Sequence, residues 1–279
     1  MTRLELVSNE TNPGTEVPVF QALRTEAERA ARQEPMLTSA LNASILAHDD
    51  LASAMAYQLG RKLGEADVGP LCIRDLAASV YADRPELVSF VEDDMQAVFE
   101  RDAAARGYLQ AFLFFKGFLA LQTQRIAHHL WHQGRETIAF HLQSRASELF
   151  QVDIHPAVPI GRGVFLDHGT GIVIGETATV GDGVSMLQNV TLGGTGKSGG
   201  DRHPKIGRGV LLGAGAKVLG AIHIGDYAKV ASGSVVLKAV PAGCTAAGVP
   251  ARLVNCPAGP DPGASMDQTL VDAAYDYVI

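Results

Sequence analysis

Cysteine is scarce in this chain. Cys72, Cys244 and Cys256 are the three among 279 residues. They form no CxxC pair and have no metal-ligand spacing, which excludes a cysteine-based metal site, and the odd, sparse count suits a reducing cytosol. Runs of lysine or arginine are absent and the net charge is −7. A general nucleic-acid binder, which depends on neutralising phosphates, is therefore excluded. Residues 1–18 hold no apolar core and carry Glu5, Glu10 and Glu16, so no secretory signal is expected. The longest apolar stretch, LQAFLFFKGFLALQ at 109–122, is too short to span a bilayer and has Lys116 in its middle. It reads as a core helix, and no membrane partner is expected. A content of 47% hydrophobic and 19% charged residues describes a soluble globular chain, long enough for two domains.

From about Phe20 to Phe150 the apolar spacing is helical. Leu87, Val91, Met95, Val98 and Phe99 share one face. Asp83 as N-cap, Pro85 in the first turn and Glu86 closing a capping box predict the start of that helix. Earlier helices are expected over 20–33, 37–47, 50–63 and 71–81, and later ones over 108–132 and 135–149. The His128-His129-x-x-His132 cluster lacks an acidic ligand or an HExxH pattern, so capped or interface histidines are expected there rather than a metal.

Near Ile154 the pattern changes. An aliphatic residue recurs at every sixth position: Ile154, Ile160, Leu166; then Ile174, Val180, Met186, Leu192; then Ile206, Leu212, Val218, Ile224, Val230, Val236. Glycine often follows, as at Gly161, Gly175, Gly181, Gly207, Gly213 and Gly225. A fixed six-residue period is the signature of a parallel β-helix, with one strand and one turn per hexad and three hexads per coil. Two insertions break the period, eight residues from Leu166 to Ile174 and fourteen from Leu192 to Ile206. Solenoid insertions fall at turns and often build the binding face. The second contains GGTGKSGG, which suggests a phosphate-binding loop, but the first glycine of that motif would have to stand at Thr191, so the match fails.

The helical half together with FQVDIHP (150–156), LDHGTGIVIGETA (166–178), TLGGTGKSGGDRHPKIG (191–207) and AAGVPAR (246–252) closely resembles bacterial serine O-acetyltransferases, from about residue 20 to 279. The resemblance implies an α+β chain, an all-helical N-terminal part followed by a left-handed parallel β-helix. The expected divisions are a disordered 1–18, a helical oligomerisation domain 19–150, the β-helix 151–256 and a flexible tail 257–279. The implied activity is acetyl transfer from acetyl-CoA to the hydroxyl of L-serine, the first step from serine toward cysteine, in the cytoplasm. L-cysteine is the implied feedback inhibitor.

The residues agree with that chemistry. A serine hydroxyl is a weak nucleophile near neutral pH, and histidine has a suitable pKa for a general base. His168 lies two residues beyond inward Leu166 and is expected to face outward at a turn. The resemblance makes His168 the base, oriented by Asp153, with His203 also in the catalytic set. It assigns Arg202 and His203 to the carboxylate of serine, and Asp167 and Asp102 to its ammonium. Small residues around Ala214 and at 231–234 suit the pantetheine arm of acetyl-CoA, with Lys229 or Arg252 for its phosphates. Backbone N–H groups near Gly193 and Gly194 are candidate oxyanion donors. No metal is required. Three rivals stand beside this reading: a hexapeptide acetyltransferase for a sugar, a zinc enzyme using His155, His168 and His203, and a non-catalytic scaffold. The resemblance further implies a trimer, paired into a dimer of trimers. It also implies docking of the C-terminal Ile279 in O-acetylserine sulfhydrylase, although Tyr275, Tyr277 and Val278 depart from the usual tail.

Overall fold

The computed structural model describes residues 17–196, 199–256 and 261–270. The N-terminal part is helical: α1 (Val19–Gln33), α2 (Thr38–Leu41) flanked by a 3-10 turn and a π turn, α3 (Leu51–Leu63), α4 (Pro70–Asp83), α5 (Glu86–Arg101), α6 (Tyr108–Phe114), α7 (Lys116–His132) and α8 (Glu136–Phe150). Asp50 caps α3 by accepting the Ser53 N–H at 2.7 Å. The capping box expected before α5 does not form. Asp83 is the last residue of α4, and the chain breaks at Arg84 (φ −135°, ψ 71°). Pro85 then precedes α5 with no side-chain cap, and the Glu86 carboxylate pairs with the Arg84 guanidinium instead.

The helix expected over 108–132 is also divided. Phe115 is extended (ψ 109°) and separates α6 from α7. Local propensity does not account for the break. A Cβ built on Gly117 would lie 2.0 Å from the Leu166 carbonyl oxygen, so the start of α7 is seated directly on the β-helix.

The rest is a left-handed parallel β-helix. Its first face stacks β1 (Val152–Ile154), β3 (Ile172–Ile174), β6 (Thr191–Gly193), β9 (Lys217–Leu219) and β12 (Val235–Val236). The second stacks β4 (Thr179–Val180), β7 (Lys205–Ile206) and β10 (His223–Ile224). The third stacks β2 (Phe165–Leu166), β5 (Ser185–Met186), β8 (Leu211–Leu212), β11 (Lys229–Val230) and β13 (Thr245–Gly248), and ends in β14 (Ala251–Asn255), antiparallel to β13. The inward positions align in register. Ile154, Ile174, Leu192, Val218 and Val236 form one column, and Leu166, Met186, Leu212, Val230 and Ala246 another. Of the thirteen hexad aliphatics, Ile160 is half-buried and the others are buried. Each fully buried one contributes about 1.5–3 kcal/mol relative to exposure.

Cysteine departs from the sparse-thiol expectation. The β13–β14 hairpin brings its two flanks together, and Cys244 is bonded to Cys256, leaving Cys72 free and exposed. Spacing along the chain carried no sign of that pairing.

A buried polar knot joins the two halves. Asp94 of α5, fully buried, accepts from Arg125 Nε (2.9 Å) and Nη2 (2.8 Å), from Gln122 Nε2 (2.9 Å) and from the Val164 N–H (2.9 Å). Arg125 of α7 also donates to the carbonyls of Ile160 (3.1 Å) and Gly161 (2.7 Å) in the first coil. A short helix, α9 (Pro262–Ser265), packs beside α5. Among the described residues no helix is long and apolar enough to cross a membrane.

Candidate active site

The first insertion forms a tight turn between β2 and β3. His168 (φ 57°), Gly169 (φ 73°) and Gly171 (φ 76°) all adopt the left-handed region, an unfavourable conformation for the histidine. The imidazole is thereby turned outward, with its side chain 76% exposed. It borders a cleft of about 450 Å³ that Asp102, Asp167, Lys116 and Phe165 also line. Asp102 arrives from the other half, at the C-terminal end of α5, and accepts the Ala104 N–H at 2.8 Å. Asp167 Oδ1 lies 4.0 Å from His168 Nε2. Burial raises the Asp167 carboxyl; the neighbouring Asp102 charge adds to this, and His168 opposes it. One cleft thus holds three of the residues singled out from sequence.

The second insertion builds a different cluster, where the first face turns into the second. Arg202 Nη2 donates to Glu176 Oε2 at 2.5 Å. The buried His203 ring is fixed through Thr177, whose N–H reaches Nδ1 at 3.2 Å and whose Oγ1 lies 2.9 Å from it. Thr177 Oγ1 accepts the N–H groups of Arg202 (3.0 Å) and His203 (3.1 Å), so its own proton is directed to Nδ1. The proton of neutral His203 is then on Nε2, which faces Gly175, where a Cβ would stand 2.0 Å away. Burial, then the Arg202 charge, lowers the His203 pKa. His155 stands nearby, edge-on to Trp131 (5.1 Å) and Phe140 (5.4 Å), and burial lowers its pKa while Glu176 and Asp153 oppose this.

Asp153 belongs to this second side. Its Oδ1 accepts Gln143 Nε2 at 2.6 Å, and among the described residues no hydrogen bond or ion pair joins it to His168. Within one chain the two stand apart: Asp153 is mid-strand in β1, whereas His168 is at the turn that enters the same face one coil later. The two clusters flank opposite edges of the five-stranded face. His155 and His203 likewise sit apart from His168, and among the described residues no three metal-ligating side chains converge.

The remaining assigned positions are scattered over the later coils. Gly194 lies close to Arg202 and His203; a Cβ there would be 3.6 Å from His203 Nε2. Ala214 sits in the turn between β8 and β9, its carbonyl accepting the Gly233 N–H at 2.8 Å. Arg252 is exposed on β14. Lys229, expected toward phosphates, is buried and donates to the carbonyls of Asp267 (2.9 Å) and Thr269 (2.6 Å). Ile279 lies outside the described residues. Sequence reasoning missed Glu176, Thr177 and Lys116. The first two could have been found from their place in the turn after inward Ile174, alongside the long insertion of the next coil.

Residues 19–123 match the family described as serine acetyltransferase, N-terminal, and residues 203–238 match the six-repeat bacterial transferase hexapeptide family. A serine acetyltransferase of Escherichia coli (strain K12) is 52% identical over 93% of this chain and 96% of its own length. The chain belongs to the serine acetyltransferase family. A solved serine acetyltransferase in complex with cysteine superposes with a TM-score of 0.89 at 46% identity, covering 91% of this chain and 98% of the other. Another, from Brucella abortus strain S19 in complex with coenzyme A, gives a TM-score of 0.84 at 50% identity, over 86% and 96%. This serine acetyltransferase family member is an acetyl-CoA-dependent transferase that acts on serine.

Proposed function

We propose that acetyl transfer takes place between two copies of this chain, with His168 of one copy as the general base. The observation that carries this reading is the split of the charged residues between opposite edges of the five-stranded face. One edge presents His168, Asp167 and Asp102; the other presents Arg202, His203 and Asp153. A three-fold arrangement of β-helices apposes one edge to the opposite edge of its neighbour. Serine, a zwitterion, then finds carboxylates for its ammonium on one copy and a guanidinium for its carboxylate on the other.

The step balances as follows. His168 removes the proton of the serine hydroxyl as its oxygen attacks the thioester carbonyl carbon. The C–S bond breaks, and the imidazolium returns the proton to the departing thiolate of CoA. Asp153 of the adjoining copy orients the ring and stabilises the imidazolium. Backbone N–H groups near Gly194 bind the oxyanion. The arm of acetyl-CoA runs along the small residues near Ala214, with Arg252 toward its phosphates. Subunit complementation tests the arrangement. His168→Ala and His203→Ala chains are each expected to be nearly inactive alone, and mixed trimers are expected to recover activity through the sites built from intact halves. If mixing restores nothing, each site lies within one chain.

L-cysteine has the ammonium and carboxylate of serine and differs by sulfur for oxygen, and the cysteine-bound relative supports its binding here. Competitive inhibition against serine is the expected result in steady-state kinetics; inhibition independent of serine concentration would place cysteine elsewhere. A cytoplasmic enzyme, a dimer of trimers and docking of Ile279 in O-acetylserine sulfhydrylase complete the proposal. Co-purification with a chain ending at Val278 tests the last.

A further inference from the structure

We propose that Lys116 is a positioning residue for His168, acting through Thr170. This rests on the assignment of His168 as the base. Lys116 is the first residue of α7 and borders the same cleft as Asp102, Asp167 and His168. Among the described residues its ammonium makes no ion pair with either carboxylate; it donates to Thr170 Oγ1, two residues beyond His168.

Three further observations make this contact more than a chance surface bond. The turn from 167 to 171 contains three left-handed residues, one of them His168 itself, so its shape does not follow from local preference. Within the turn Gly169 N–H donates to the Asp167 carbonyl (2.6 Å) and Thr170 N–H to the His168 carbonyl (2.9 Å), while neighbouring coils hold its backbone through Asp167 N–H to the Met186 carbonyl (2.8 Å), Gly171 N–H to the Gln151 carbonyl (2.8 Å) and Asn189 N–H to the Thr170 carbonyl (2.7 Å). The start of α7 meets the Thr170 side chain and packs on the turn at Leu166 and Gly169. A Cβ on Gly117 would strike the Leu166 carbonyl at 2.0 Å, and a Cβ on Gly169 would meet Gly117 Cα at 3.1 Å. Lys116 and Gly117 therefore grip the turn at both ends, Leu166 before it and Thr170 after it. The extended Phe115 that divides α6 from α7 lets the chain deliver this pair. Strained turns at active sites persist when the surroundings over-determine them, and here the neighbouring coils hold the backbone while an ammonium and a bare backbone from the helical half meet it from the cleft side.

Steady-state kinetics on a double-mutant cycle test the inference. Lys116→Met and Thr170→Val are each expected to lower kcat by roughly 10- to 100-fold, the scale of a misplaced catalytic group, with acetyl-CoA affinity unchanged. The double variant should lose no more than either single one, because both break the same contact. Thr170→Ser keeps the hydroxyl and should recover most of the rate. In a His168→Ala background, Lys116→Met should have no further effect. Wild-type kcat in Thr170→Val, multiplicative losses in the double variant, or an undiminished Lys116→Met effect without His168 would each overturn the positioning role. Failure of the base assignment is read separately, as normal turnover by His168→Ala alone.

Discussion

His168→Ala lowers kcat by roughly 10²- to 10⁴-fold and leaves acetyl-CoA binding intact; this is the expected result of a single-turnover and equilibrium-binding comparison. The size follows from the chemistry. A serine hydroxyl attacking a thioester needs its proton removed as the bond forms, and no second base in the cleft is suited to the task. Asp102 and Asp167 are carboxylates needed for the substrate ammonium, and Lys116 is a cation. The imidazole is turned outward, 76% exposed, against 21% for the Asp167 side chain. Acetyl-CoA lies along the later coils in the proposed arrangement, so its affinity is unaffected. Near-normal turnover by this variant would remove His168 from the mechanism.

Arg125→Met is expected to destabilise the fold by about 3–5 kcal/mol, the cost of leaving a buried carboxylate without its cation. Asp94 is fully buried; burial raises its carboxyl above the ordinary value even in the parent, and Arg125 is the largest influence opposing that rise. Removing the guanidinium also strands the carbonyls of Ile160 and Gly161. The loss should depend on pH in a definite direction. Without Arg125, the folded-state pKa of Asp94 rises further above its unfolded value. A group so raised favours folding when protonated, so the variant regains stability as the pH falls through that raised value and is weakest above it. Urea denaturation at several pH values measures this. Asp94→Leu in the same chain should recover part of the loss, since the pair then gives way to apolar packing. Equal stability of Arg125→Met and the parent at neutral pH would contradict the assigned role of the knot.

The β-helix was legible because its signal is repetition. Thirteen aliphatics in one period leave little choice of core, and the two interruptions marked where the functional turns stand. What escaped was set by long-range contact. The break at Phe115 exists because Gly117 must reach Leu166. Arg84 claims Glu86 and dissolves the expected capping box. Asp94 is buried on α5, and nothing local announces Arg125 as its partner. At the site, Asp167 and His168 are neighbours in sequence, so their shared cleft is unsurprising. Asp102 reaches that cleft through the packing of α5, which no spacing encodes. The resemblance pairs Asp153 with His168, but in one chain a strand interior and a turn of the next coil lie on different parts of the prism. Lys229 was read as free for phosphates because the returning segment at 267–269 lies far from it along the chain.

The last rung of the solenoid has a consequence for how the chain behaves in company. A parallel β-helix is a stack with two open ends, and each end offers unpaired backbone that a second stack could extend. Here β14 runs back against β13. On this third face the terminal edge thus presents a strand of the wrong polarity for another parallel coil. On that face, growth of the stack from one molecule into the next is opposed by direction, through a single reversed strand.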